Sequence, residues 1–527
     1  MEQEKIEKKH KRIMIYVMII SLICVVGVSY AFFTAGMSSE TSTTVRADAG
    51  TMKITYDGGA NINLAGIYPK DDVWATKTIT VTGNNTTDAE MYYKLTLVVD
   101  SNTFKTDDPL QYELVSTNTS TNGEIIPNIS KTDITGTSIE LGSGHFVKAN
   151  NAKHTYLLKI YYPKKTTSQN ANQGATFSAH VEITSAKAPK TNGKLSELVL
   201  YNNEVKTPLT TPGAAISTAS EALLASTEDD YGTSYYFRGA VTNNYVEFAN
   251  KCWRIVRVGG DGSVKLILHN DNTAKAANPC NSANNSTTAA FARYSGTTYK
   301  SAFNTNTDDN AYVGFMYGTP GSSTYADTHA NTNKSTILTN LETWYNNNLK
   351  TYESVIDDNV WCNDKTNVTD TTYKPLWGDV NGLGLGYGKN VTYYGATKRL
   401  VSTSNSAGGT GPSLKCNGEL SKINSKVGLI TADELAFAGY AYNIRNTVTY
   451  LKENTSGEWW SLSPSDYISI YANVWTVRSY GTYFTTGHGG TGGGGVHDSY
   501  GVRPLISLKS TTNVTGNGSS DKPYKVV

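Results

Sequence analysis

Few residues of this chain stand at the spacings that catalysis requires. A serine hydrolase of the α/β type would carry G-x-S-x-G and a zinc peptidase H-E-x-x-H, and neither occurs. The run Gly382, Gly384, Gly386, Gly388, Lys389 and Asn390 resembles a phosphate loop at a glance. A Walker loop needs four residues between its glycines and Ser or Thr after the Lys, so the alternating glycines are read as close packing of a loop. His488, His497 and Asp498 flank a Gly-rich stretch. A metal site needs three convergent ligands, and two His and an Asp strung along a glycine loop are read as solvated turn residues. The sequence therefore predicts no catalytic residue, no metal and no cofactor.

The same region offers a surface instead. Tyr467, Tyr471, Trp475, Tyr480, Tyr483 and Tyr500 are interleaved with Asn473, Arg478 and two His, while Ile468, Ile470, Val474, Val477 and Val496 are the accompanying aliphatics. With so few branched neighbours, many of the rings are expected to face solvent or a partner, stacking through their faces and bonding through their hydroxyls. The candidate ligand-binding set is Tyr467, Tyr471, Asn473, Arg478, Tyr480, Tyr483, His488, His497, Asp498 and Tyr500. Trp460 and Trp475 are expected in the core, and Arg503 is expected to pair with a nearby acid or carbonyl.

Cysteine usage bears on the compartment. Cys24 lies in an apolar run, as a small hydrophobe or a lipidated thiol, whereas Cys252, Cys280, Cys362 and Cys416 form an even set in the second half. The last four are disulfide candidates in an oxidising compartment, with three connectivities open. Proximity in sequence favours Cys252 with Cys280 and Cys362 with Cys416. No C-x-x-C pair points to zinc.

These elements must be placed by the rest of the chain. Lys8, Lys9, Lys11 and Arg12 precede an apolar run from Ile13 to Phe33. Its length and flanks predict a transmembrane signal-anchor over 13–35, after a cytoplasmic basic segment 1–12, with the C-terminal bulk outside the cell. The alternative is a cleaved signal peptide and a secreted protein, since Ser29-Tyr30-Ala31 and Phe33-Thr34-Ala35 put small residues at candidate cleavage sites. The 527 residues carry a net charge of +1 with no concentrated basic stretch beyond the N-terminus, which argues against a nucleic-acid partner. With 35 Tyr, 47 Gly and 17% charged residues, the profile suits an exported, β-rich surface protein.

Residues 38–187 read as strands. Tyr93, Leu95, Leu97 and Val99 alternate with Lys94, Thr96 and Val98, and Ala175, Phe177, Ala179, Val181 and Ile183 alternate with polar partners. Further strands are predicted over 51–56, 77–82, 110–115, 138–141 and 156–162, which together predict an all-β sandwich, jelly-roll or Ig-like. Ser29-Tyr30-Ala31-Phe32-Phe33, then Ala49-Gly50-Thr51-Met52, Tyr68-Pro69-Lys70-Asp71 and Gly83-Asn84-Asn85 give this half a resemblance to the TasA and camelysin family of exported biofilm-matrix proteins. The resemblance implies export and a surface role.

Residues 188–230 read as a linker and lead-in, and 231–527 as one α+β domain. Trp253 to Val258 and Val264 to Leu268 flank Gly259-Gly260-Asp261-Gly262, a hairpin signal. Ile337, Leu338, Leu341, Trp344, Tyr345 and Leu349 fall on one face of a helix over 335–349, and Thr431 with Glu434 predicts a capped helix ending near Gly439. Tyr235-Tyr236-Phe237-Arg238-Gly239, Trp253-Arg254-Ile255-Val256, Val427-Gly428-Leu429-Ile430, Trp459-Trp460-Ser461-Leu462 and Gly501-Val502-Arg503-Pro504-Leu505-Ile506 occur in an order similar to C-type lectin-like modules of the formylglycine-generating-enzyme type, found in Firmicutes surface proteins. That resemblance implies ligand display by loops. The enzymes of that type use a close cysteine pair to bind copper, and no pair here is near in sequence.

The sequence thus predicts a membrane-tethered bacterial surface protein whose lectin-like head binds an extracellular glycan or protein, adhesin-like. The alternative is a structural matrix or fibre subunit of the TasA type, with self-association.

Overall fold

A computed structural model describes residues 43–48, 51–86, 90–118, 122–185, 190–375, 383–468, 470–478, 483–486 and 495–527. The chain separates into two compact units, 1–188 and 189–527, and its described residues are mostly strand with few helices.

The first unit is a sandwich of two antiparallel sheets. Its strands are β1 (Thr43–Asp48), β2 (Thr51–Asp57), β3 (Ile62–Leu64), β4 (Lys70–Asn85), β5 (Met91–Asn102), β6 (Gln111–Ser116), β7 (Ile129–Asp133), β8 (Ser138–Phe146), β9 (Ala149–Tyr162) and β10 (Phe177–Ser185). One sheet runs β1-β2-β4-β9-β6-β7 and the other β3-β10-β5-β8. The alternation read from sequence is the physical cause: along β5, Met91, Tyr93, Leu95, Leu97 and Val99 are buried while the residues between them are half-buried. Ile79 and Val81 of β4 and Leu158 and Ile160 of β9 meet them in one core. All seven strand regions expected here are present, and β1, β3 and β7 are additional.

The transmembrane anchor expected over 13–35 needs correction. No helix among the described residues is long and apolar enough to cross a membrane, and 13–35, like the basic segment 1–12, lies outside the described residues. The described structure thus gives no support to a single-pass membrane anchor.

In the second unit, residues 190–230 are built into the fold, not strung before it as a linker. Asn192–Lys194 pairs with Asn513–Thr515, the helix Leu195–Asn202 buries Leu195, Leu198 and Val199 in the main core, and Ala222–Asp229 pairs along its length with Gly232–Gly239. The predicted hairpin forms between Lys251–Val258 and Val264–Asn270. Gly262 at φ +79° supplies the left-handed turn residue that a side chain would oppose. The helix Thr336–Asn348 is capped by the Ser335 hydroxyl and buries the predicted apolar face. Thr431 and Glu434 form the expected reciprocal cap on the helix Ala432–Phe437.

Cys252–Cys280 and Cys362–Cys416 are disulfides, with Cα separations of 4.9 and 5.5 Å, as sequence proximity suggested. The first is buried and the second half-buried. The glycine loop packs closely: Asn310 donates to the Gly388 carbonyl at 2.9 Å, and Gly384 and Gly386 take positive φ beside Val368 and Tyr325.

Candidate functional site

Among the described residues, the C-terminal aromatics do not form one surface. Tyr467 and Asn473 are corrected to core residues, 1% exposed each. The reason is that all ten residues of the strand Trp459–Ile468 are buried, so period two no longer separates an inner from an outer face. Aromatic rings replace the missing aliphatics, with Trp475 stacked on Phe484 at 4.6 Å between centroids. Asn473 donates to Asp466 at 2.7 Å and holds the neighbouring strand.

Three of the predicted residues make a short polar chain. The Tyr500 hydroxyl donates to Asp498 at 2.9 Å, and Arg478 reaches that hydroxyl at 3.4 Å. Burial and the Asp498 carboxylate push the Tyr500 phenol well up. Tyr471 is 40% exposed and stacks on His497 at 5.8 Å. Tyr483 lies in the strand Tyr483–Thr485, while Tyr480 and His488 lie outside the described residues. Among the described residues no group of His, Cys, Asp and Glu could hold a metal ion.

Elsewhere in this unit lies a cleft of about 320 Å³ whose lining runs from Asp229 to Ser463. It is built on buried charge. Arg399 grips Asp433 through Nε at 2.7 Å and Nη2 at 2.8 Å, and reaches Asp364 through Nη1 at 2.7 Å. Arg257 bonds Asp229 at 2.8 Å and Glu434 at 3.0 Å, and Lys265 bonds the same Glu434 oxygen at 2.8 Å. The other Glu434 oxygen takes the Thr431 N–H at 3.0 Å, so the helix cap and the ion-pair network are one structure. Gly395 leaves room for the first network, since a Cβ there would lie 3.0 Å from Arg399 Nη1.

Electrostatics follow from this sharing. Burial opposes the charge on Glu434, but Lys265 and Arg257 outweigh it and hold the carboxyl down at about 2. Burial lowers Lys265, because Glu434 divides its attraction between two cations and Arg257 repels the ammonium. Burial alone would lower Arg399, yet Asp433 and Asp364 together raise it.

The mouth is fixed covalently. Cys362–Cys416 lies in the lining, the Cys416 N–H donates to Asp230 at 3.1 Å and the Ser413 N–H to Asp433 at 2.9 Å. Tyr231, 59% exposed, stands beside exposed Asp230 and Lys415. The cleft thus offers preformed acids and bases within, and an accessible ring without. Its lining contains no His, and its two cysteines are bridged.

Sequence reasoning missed this site because its residues carry no motif. The available signal was charge within apolar strands: Arg257 interrupts the run Ile255 to Val258, and Lys265 interrupts Val264 to Leu268. Such residues are rarely buried unless paired.

Compared with known proteins, no family model and no curated protein matches this chain. The likenesses to the TasA and camelysin family and to lectin-like modules stand on the short motifs quoted above.

Proposed function

We propose that the second unit is a non-catalytic binding module, C-type lectin-like, that takes a glycan in the charged cleft, with the sandwich as its carrier. The observation that carries this reading is the cleft's combination of immobilised polar groups with an exposed ring. Sugars are recognised by directional hydrogen bonds to fixed acids, amides and bases and by stacking on an aromatic face. Asp229, Asp433 and Glu434 are each held by two or more bonds, so they need not be ordered when a ligand arrives. The volume lies at the small end of the roughly 300–1,000 Å³ usual for ligand pockets, which favours a short saccharide or a terminal sugar. The two disulfides suit work in an oxidising compartment.

The test is a glycan array probed with the full chain and with Tyr231→Ala. Binding to a defined set of glycans, lost in the variant, is the expected result. Absence of glycan binding by the folded wild type, or equal binding by both proteins, would refute the reading.

A further inference from the structure

Away from the cleft, the interior of the second unit contains a guanidinium with no counter-ion. Arg503 is fully buried and donates through Nε to the Leu268 carbonyl at 2.9 Å and through Nη1 to the Leu451 carbonyl at 2.6 Å. These are the carbonyl partners its sequence position suggested, and both are neutral. Arg503 makes no ion pair among the described residues, and its Nη2 has no hydrogen-bond partner. Its guanidinium lies 5.1 Å from the Trp459 ring centroid.

The side chains packed around it share one property. The Trp459 indole N–H, the Tyr450 hydroxyl and the Nδ1 of His269 are also buried without partners. His269 is placed here by its chain neighbour Leu268, whose carbonyl takes the Arg503 Nε. The Asn454 amide gives its two hydrogens to the His269 carbonyl and to Asn285 Oδ1, both at 3.0 Å. Arg503 Nη2 and Trp459 Nε1 can only donate, and Tyr450 Oη is able to donate as well.

Charge adds to this. Arg254 is a second buried cation nearby, 5.2 Å from the Tyr450 ring. The acid that faces these groups is Glu453, 45% exposed and 3.4 Å from Arg254 Nη1. Two buried guanidiniums thus share one half-exposed carboxylate. An uncompensated buried cation is strongly unfavourable, and a cluster of donors lacks an acceptor.

We propose that this cluster is a binding site for a small monovalent anion, a halide, held by Arg503 Nη2 with the Trp459 and Tyr450 donors. A halide supplies the acceptor and the negative charge together. A water would accept as well, but it brings two hydrogens of its own to a cluster of donors and leaves the charge unbalanced. The site is separate from the cleft and does not depend on the glycan reading.

The test uses the full chain in two ways. Crystals grown in bromide are expected to show an anomalous peak at hydrogen-bond distance from Arg503 Nη2. The head is expected to unfold at a higher temperature in chloride than in gluconate at equal ionic strength, with that difference reduced in Tyr450→Phe and in Trp459→Phe, which each remove one donor and keep a ring. No bromide peak at Arg503, equal midpoints in the two salts, or a difference unchanged in both variants would each overturn the proposal. If the variants fail to fold, the peak in the wild-type crystal decides.

Discussion

The sandwich and the head solve the burial problem in opposite ways. In the sandwich, alternate residues of long strands supply the core, and its buried polar residues are few: Lys77, Asn85, His154 and Asn172. In the head, many charges go inside in pairs: Arg238 with Glu221, Lys265 and Arg257 with Glu434, Arg399 with Asp433. Both disulfides also lie there. Truncating one residue of an apolar core removes packing that is spread over many neighbours, whereas losing one member of a buried ion pair leaves the other charge without its partner. The proposed site in the head is held by such pairs, and its fold depends on them.

The sharpest way to break this contrast is Glu434→Gln. It leaves Lys265 and Arg257 buried against a neutral group, and the head should lose about 3–5 kcal/mol while the sandwich is unaffected. Denaturant unfolding followed by tryptophan fluorescence reads this, because seven of the eight Trp lie in the head sequence and Trp74 in the sandwich. Equal loss in both units would mean that they do not unfold separately.

Reduction should act next most strongly. Half-buried Cys362–Cys416 should open before buried Cys252–Cys280, costing the head about 2–4 kcal/mol and sparing the sandwich. Mass spectrometry of alkylated thiols during mild reduction checks the order.

Acid should separate the units more gently. Burial lowers His329 to about 3 and His269 well below 6.5, so both are neutral in the folded head but protonate near 6.5 when unfolded. Their contribution is complete above pH 6.5 and declines as pH falls below it. In the sandwich, burial lowers His154 in the same sense, but Asp100 and Glu182 outweigh burial and raise His180, whose contribution is present at low pH and lost as pH rises. Between pH 7 and roughly 5 the head midpoint should therefore fall further than that of the sandwich, as calorimetry would show.

The smallest effect on folding is expected from Tyr231→Ala. An exposed side chain at the cleft mouth should change stability by no more than about 0.5 kcal/mol, yet ligand affinity should drop by about tenfold or more. Stability and binding measured on one sample would show whether the two separate.

The same contrast governs what the sequence revealed. Strands such as Met91–Asn102 were legible because one face is wet, and the cap at Thr431 and the turn at Gly262 are local chemistry. Disulfide pairing followed from proximity. β1, β3 and β7 were missed, β3 being a three-residue strand between Asn61 and Gly66. Tyr467 was misread because a strand buried on both faces has no period, and tyrosines fill its core. The cleft was invisible because Asp229, Arg257, Asp364, Arg399 and Glu434 meet only through tertiary folding.

The central claim is that ligand enters at the charged cleft and not at the C-terminal aromatics. The most direct measurement compares Tyr231→Ala with Tyr471→Ala in the full chain against one bound glycan. Loss of binding in Tyr231→Ala with Tyr471→Ala unchanged is predicted; the reverse pattern would contradict the account.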